Sequence, residues 1–271
     1  MAPTTFIATK EHRRFVEFAN AVRRQRTIGV CYGQAGIGKT LSARRYAHWS
    51  REAETLVEQW GRREDSDHQI NNDLAKTRTV FFTPGVLTTP KQIKEELAQL
   101  TTRTSICIDE HLRTIGAKTG PPIGQDKHVE LIIIDESERL NSTALEVLRD
   151  RYDRNNIALV LIGMPGIEKQ FSRYPQLYSR VGFAHEYRPL AKEELHFVLQ
   201  RRWRTLGQAL DLEDFTDAQA VAAIARITRG NFRLIDRLFT QMQRVMKINE
   251  LSTITDDVVE AARSTLVIGI S

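Results

Sequence analysis

The sequence predicts an α/β fold, a parallel sheet with flanking helices followed by a small α-helical domain. Three observations carry this. Short apolar runs alternate with helical stretches between Thr27 and Gly163, the pattern of strand–helix–strand units whose strands run parallel. The stretch Val129–Ile134 ends in the unbroken apolar run LIII, which suits a central parallel strand covered on both faces. From about Leu190 onward strand signals stop and only helical periods follow.

Residues 9–26 read as a basic amphipathic helix, with Phe15, Phe18, Ala19 and Val22 on one face and Arg13, Arg14, Arg23 and Arg24 largely elsewhere. Thr27–Cys31 reads as a short buried strand, followed by the glycine-rich turn Gly33–Gly38 and a helix running from Lys39 into the Trp49 region. Residues 61–78 are polar without a clear period and read as a loop or a frayed helix end. Thr79–Thr83 is a second strand. Pro90 opens a helix where proline is tolerated, in the first turn, and this helix is expected to end near Leu100, with another over 105–115. The Gly- and Pro-rich stretch 117–128 reads as a surface loop. A helix over 142–154, a buried strand over 157–163 and four helices near 191–206, 216–229, 231–248 and 255–265 complete the chain. The expected domains are an N-terminal basic helix (1–26), an α/β domain (27–189) and a helical domain (190–271).

A length of 271 residues suits one large domain with a small one appended. With 41% hydrophobic and 27% charged residues, the composition is that of a folded globular chain and excludes general disorder. The net charge of +5 permits binding to a polyanion without showing it. Cys31 and Cys107 stand in apolar surroundings outside any CxxC pair, which argues against a disulfide or metal framework and for reduced thiols in the cytoplasm. The N-terminus shows no apolar signal-peptide core, and no apolar run reaches the ~18 residues of a membrane span.

The chemistry concentrates at two strings. Gly33-Gln-Ala-Gly36-Ile-Gly38-Lys39-Thr40 matches G-x-x-x-x-G-K-[ST] in full, after a strand and before a helix. The glycines let backbone N–H groups face phosphate oxygens, the helix adds the positive end of its dipole, Lys39 reaches the outer phosphates and Thr40 offers a hydroxyl to Mg²⁺. The second string is Leu131-Ile-Ile-Ile-Asp135-Glu136. An aspartate at the end of a buried strand holds Mg²⁺ in enzymes of this type, and the adjacent glutamate can deprotonate the attacking water. The cofactors expected are ATP and Mg²⁺.

GQAGIGKT (33–40), LIIIDESERL (131–140), LVLIGMPG (159–166), LYSRVGFAHEYRPL (177–190) and RGNFRLIDRL (229–238) occur in order at suitable spacing. Over roughly residues 10–265 the chain resembles an AAA+ ATPase, most of all the transposition regulators of the TniB, TnsC and MuB kind. The resemblance implies that Arg180 is an arginine finger supplied to a neighbouring subunit, with Arg173 as its rival, and that Arg233 is the lid arginine directed at the γ-phosphate. Where such proteins place a polar residue near the hydrolytic water, Met164 follows Gly163. That implies slow hydrolysis, or completion of the site by a partner, unless Met164 is a packing residue.

The resemblance also implies ATP-dependent filaments or rings on duplex DNA, contacted without sequence specificity through the segment after the second strand. Here that segment carries Lys91, Lys94, Thr101, Thr102 and Arg103, and the loop with Lys118 and Lys127 is a second candidate. The implied partners are duplex DNA, a transposase, a target-selector protein and further copies of the chain, with no membrane. The rival reading is a protein-binding assembly or signalling ATPase, of the secretion-associated kind, that does not bind DNA.

Overall fold

A computed structural model describes residues 6–59, 67–117 and 128–266. Two compact units emerge: an α/β unit of Arg14–Gly33 with Lys39–Tyr187, and a helical unit of Arg188–Ser271 with Met1–Arg13 and Gln34–Gly38.

Five parallel strands form the sheet of the α/β unit: β1 (Ile28–Tyr32), β2 (Thr79–Phe82), β3 (Leu131–Ile134), β4 (Ala158–Gly163) and β5 (Val181–Glu186), in the order β2-β3-β4-β1-β5. Every residue of β2, β3 and β4 is buried. The edge strand β5 alternates half-buried and exposed positions, as a strand with one covered face does. Residues 14–25 of α1 (Lys10–Gln25) lay Phe15, Phe18, Ala19 and Val22 on the core, all 8% exposed or less.

Three helical expectations need correction. The helix begun at Lys39 stops at Tyr46 (α2, Lys39–Tyr46), because His48 takes a left-handed conformation at φ 51° and buries Trp49. A separate helix, α3 (Arg51–Gln59), then starts on the Ser50 hydroxyl, which accepts from the Ala53 amide at 3.2 Å. Within the stretch expected as a loop or a frayed helix end, His68–Thr77 is a full helix, α4, while residues 61–66 of that stretch lie outside the described residues. Its buried positions, Asn71 and Leu74, are three apart and face α5, and Asn71 donates to Glu110 at 3.0 Å. A polar sequence of this kind is helical because a neighbour supplies the buried contacts.

The pair of helices expected over 90–100 and 105–115 is one helix, α5 (Pro90–Thr114), opened by a capping box between Thr89 and Gln92. The β-branched run Thr101-Thr-Arg-Thr104 does not break it. Thr101 and Thr104 are buried, and the Thr101 hydroxyl donates back to the Leu97 carbonyl at 2.7 Å, an i−4 bond that satisfies the buried hydroxyl inside the helix. The expected loop 117–128 lies outside the described residues from 118 to 127. Beyond β3, the chain makes α6 (Ser142–Asn155), α7 (Ile167–Phe171) and α8 (Pro175–Tyr178).

The helical unit contains α9 (Lys192–Thr205), α10 (Phe215–Thr228), α11 (Phe232–Ile248) and α12 (Asp256–Ser264), close to the four expected helices. Its own core gathers Leu199, Trp203, Ile224, Leu238, Met242 and Val259. Trp203 packs edge-on against Phe239 and donates its indole N–H to Asp217 at 3.3 Å. No described helix is long and apolar enough to cross a membrane.

Candidate functional site

The strand order sets β4 between β1 and β3, so the C-terminal tips of all three lie side by side. Gly33, just past β1, donates its amide to the Gly163 carbonyl at the tip of β4, at 3.3 Å. Asp135, just past β3, donates its amide to the Phe82 carbonyl of β2, at 2.9 Å. Ligand sites of open parallel sheets form at this edge.

Lys39 opens α2, is only 8% exposed, and donates from Nζ to the Gly33 carbonyl. The turn thus holds the ammonium folded over its own start. Thr40 donates its hydroxyl to Oδ2 of Asp135 at 2.6 Å. The other carboxylate oxygen, Oδ1, accepts from the Glu136 amide at 2.9 Å. Asp135 is 4% exposed, and burial is the largest influence on it, pushing its carboxyl above the usual range. The Thr40 and Glu136 hydrogen bonds and the Lys39 charge pull the other way, and the Glu136 charge adds to the rise. A buried aspartate held above its usual range beside a hydroxyl is a hard-oxygen pair that fits a divalent cation such as Mg²⁺, whose charge would offset the cost of burial.

Glu136 has left-handed backbone angles, φ 50° and ψ 44°. Arg78, Asn156 and Arg229 share such angles but close helices. Glu136 instead follows a strand, where the conformation costs about 1–2 kcal/mol and where such strain accompanies active sites. Its carboxylate pairs with Arg139, three residues on in the 3₁₀ turn Ser137–Arg139.

Two residues in this region went unnoticed in the sequence. Arg139 is one. The other is Glu138, whose carboxylate oxygen stands over Gly163: a Cβ there would meet it at 2.9 Å and Ile167 Cδ1 at 2.3 Å. The only available signal was the charge density of DESER (135–139) itself. Met164, next along, is 40% exposed, which does not fit a packing role.

Within the helical unit, Gly36 has φ +80° and is crowded: a Cβ there would lie 2.7 Å from Asn231 Oδ1 and 2.8 Å from Arg233 Cβ. Only glycine fits. The Gly36 carbonyl accepts from the Arg233 amide at 3.0 Å, and Asn231, which caps α11, donates to the Ala35 carbonyl at 2.8 Å. Arg233 therefore sits directly on the glycine-rich turn. Gly38 also takes a positive φ, 108°.

Arg180 stands at the corner between α8 and β5. Its guanidinium grips Asp153 of α6 through two bonds, Nε–Oδ1 at 2.6 Å and Nη2–Oδ2 at 2.8 Å, and also donates to the Gln176 carbonyl. These bonds hold the Asp153 carboxyl below its usual range. Arg173 is exposed.

The AAA domain family matches residues 22–171, more than half of the chain. The chain belongs to the AAA domain family. A protein of Staphylococcus aureus described as a potential ATP-binding protein is 45% identical over 272 residues, covering 98% of this chain and 97% of its own. The AAA fold is shared with two solved structures: the RuvB Holliday junction branch migration motor of Thermotoga maritima (TM-score 0.56, 19% identity, covering 96% of this chain and 70% of that one) and the ORC2 protein of Aeropyrum pernix (TM-score 0.56, 15% identity, covering 98% and 70%). This AAA chain carries the complete G-x-x-x-x-G-K-[ST] string at residues 33–40.

The AAA chain does not bring the expected DNA contacts to one surface. Lys91 and Lys94 are exposed on α5, with Lys91 3.9 Å from Glu95, and Thr102 is half-buried. Thr101 is fully buried and accepts from Arg151 at 2.7 Å as well as donating to Leu97, so it is not a phosphate contact. Arg103 donates to the carbonyls of Val57 and Glu58 at 3.0 and 2.6 Å, near the C-terminal end of α3. Its guanidinium thus satisfies carbonyls near the end of α3. Lys118 and Lys127 lie outside the described residues.

Proposed function

We propose that this chain is a Mg²⁺-dependent ATPase that assembles on duplex DNA, without sequence specificity, and recruits or activates a transposase for target selection. One observation carries the ATPase half: the Thr40 hydroxyl bonds the Asp135 carboxylate, with Lys39 on one side and Glu136 on the other. In this reading Lys39 neutralises the outer phosphates, and Thr40 and Asp135 hold the metal. Bound Mg²⁺ supplies charge for the β- and γ-oxygens. Glu136 takes the proton of the attacking water. Arg233, seated on Gly36, is given the γ-phosphate contact that the resemblance implies, and Arg180 the role of a finger for a neighbouring copy.

The DNA half rests on the ordered strings of the transposition regulators and on the exposed Lys91 and Lys94. Two tests suffice. ATP turnover should require Mg²⁺, and random duplex should shift in a gel with ATP present. Turnover without any shift would leave the ATPase and remove the transposition reading. The rival reading, a protein-binding AAA ATPase that leaves DNA alone, is favoured by one observation: in the loop between β2 and α5, Val86 is 76% and Leu87 91% exposed. Apolar side chains presented this way suit a protein partner better than a phosphate backbone.

A further inference from the structure

We propose that Arg139 is a positioning residue that restrains Glu136 and so limits turnover, an inference that rests on Glu136 being the general base. The Arg139 guanidinium is forked. Nη2 pairs with Oε2 of Glu136, and Nη1 donates to the Pro84 carbonyl at 2.7 Å. Pro84 lies just beyond β2, so the arginine is anchored on the neighbouring strand's exit independently of the carboxylate it holds. The turn that carries it is anchored as well. The Ser137 hydroxyl donates to the Ile134 carbonyl at 2.9 Å, Leu140 is buried at 2%, and Asn141 caps α6.

Glu136 has little freedom to escape by backbone motion. Its peptide is fixed in the left-handed region and its amide is spent on Asp135. What remains movable is the side chain, and the arginine fork holds that. A carboxylate that takes a proton from water must present an oxygen to the water within about 2.6–3.2 Å. Oε2 is already occupied by Arg139, and the pairing fixes the rotamer of the whole group. Presenting Oε2 to the water, or turning Oε1 toward it through another rotamer, requires the pair to open. The Glu136 side chain is 45% exposed and that of Arg139 32%, so the pair is partly solvated, and opening it imposes about a two- to fivefold restraint on turnover.

The test compares the wild type with Arg139→Gln, Arg139→Lys, Glu136→Gln and the Arg139→Gln/Glu136→Gln double variant, at saturating ATP and Mg²⁺. Arg139→Gln should raise kcat about two- to fivefold with KM unchanged. Arg139→Lys should fall between, since one ammonium replaces a fork that reaches two sites. The double variant should be as silent as Glu136→Gln, because the gain runs through the base. A merely structural arginine would lower the melting temperature and leave kcat level or reduced. If Arg139→Gln melts well below wild type, Arg139→Lys decides. A folded variant of either kind with kcat at or below wild type overturns the restraint while a silent Glu136→Gln keeps the base. Wild-type turnover by Glu136→Gln removes the base assignment, and the restraint with it.

Discussion

Arg180 and Asp153 form a two-pronged ion pair, Nε to Oδ1 at 2.6 Å and Nη2 to Oδ2 at 2.8 Å, between the α8–β5 corner and α6. Asp153 also holds Arg149 at 2.8 Å. The guanidinium is thus spent within its own subunit, and a finger role toward a neighbouring copy requires the pair with Asp153 to open first. If Arg180 acts in trans, Arg180→Ala and Lys39→Ala will each be nearly inactive alone. A mixture will regain turnover, because junctions form that pair an intact pocket with an intact finger. Equal mixtures that stay at the level of the separate variants would count against a trans role.

Lys39 is expected to dominate nucleotide affinity. Its ammonium is buried and already folded over the turn, so a bound triphosphate meets a charge that needs little rearrangement. A charge-assisted hydrogen bond lost from such a site costs about 1.5–3 kcal/mol, so Lys39→Ala should weaken ATP binding about 10- to 100-fold by titration calorimetry. Wild-type affinity in that variant would undo the phosphate-site assignment.

Asp135 yields a prediction that separates stability from function. Burial raises its carboxyl above the ordinary value of 3.8. With the folded-state value raised, the stability it contributes is full below the unfolded value and is lost as pH rises through the folded one. At neutral pH the uncomplexed chain therefore carries an unfavourable buried charge. Asp135→Asn removes that charge and should raise the melting temperature of the nucleotide-free chain, by on the order of 2 °C, while abolishing Mg²⁺-dependent turnover. The wild type should gain melting temperature on mild acidification within the carboxylate range, and the asparagine variant should gain less. A lower melting temperature for the variant at neutral pH would contradict the sign.

The lysines of α5 and Arg103 should behave differently. Lys91 and Lys94 are exposed, whereas Arg103 is committed to two carbonyls near the end of α3. If the lysines meet phosphates, Lys91→Ala/Lys94→Ala should weaken binding to every random duplex alike and lower the salt slope by about one unit for each phosphate no longer neutralised. Arg103→Ala should instead lower the melting temperature, since it strips the end of α3 of two hydrogen bonds worth about 0.5–1.5 kcal/mol each. Unchanged DNA affinity and slope in the lysine variant would leave this helix face as solvated surface.

The sheet was largely legible because its signals are local. A full G-x-x-x-x-G-K-[ST] string can only be a strand-to-helix turn, and Leu131–Ile134 has no polar position to expose. The four C-terminal helices were legible for a related reason, since their apolar periods stand apart from the sheet's. What failed was what depends on neighbours. Residues 68–77 look like a loop until Asn71 finds Glu110 of α5. The TTRT run looks like a break until Arg151 meets Thr101. Thr101 and Arg103 look like phosphate contacts until burial and the α3 carbonyls take their polar groups.

By itself, then, the sequence determined the chemistry on offer: which residues can cradle phosphate, hold a hard cation or accept a proton, each fixed by side-chain type and by spacing along a few residues. The tertiary structure alone decided how those groups are held. Thr40 and Asp135 are 95 positions apart and meet at 2.6 Å because the sheet order brings β1 and β3 within one strand of each other, on either side of β4. Glu136 is paired with an arginine anchored on the exit of β2. The physical reason is range. Backbone preference and periodicity act over one or two turns of chain, whereas burial, ion pairing and the position of a carboxylate depend on which distant segments the sheet order brings together.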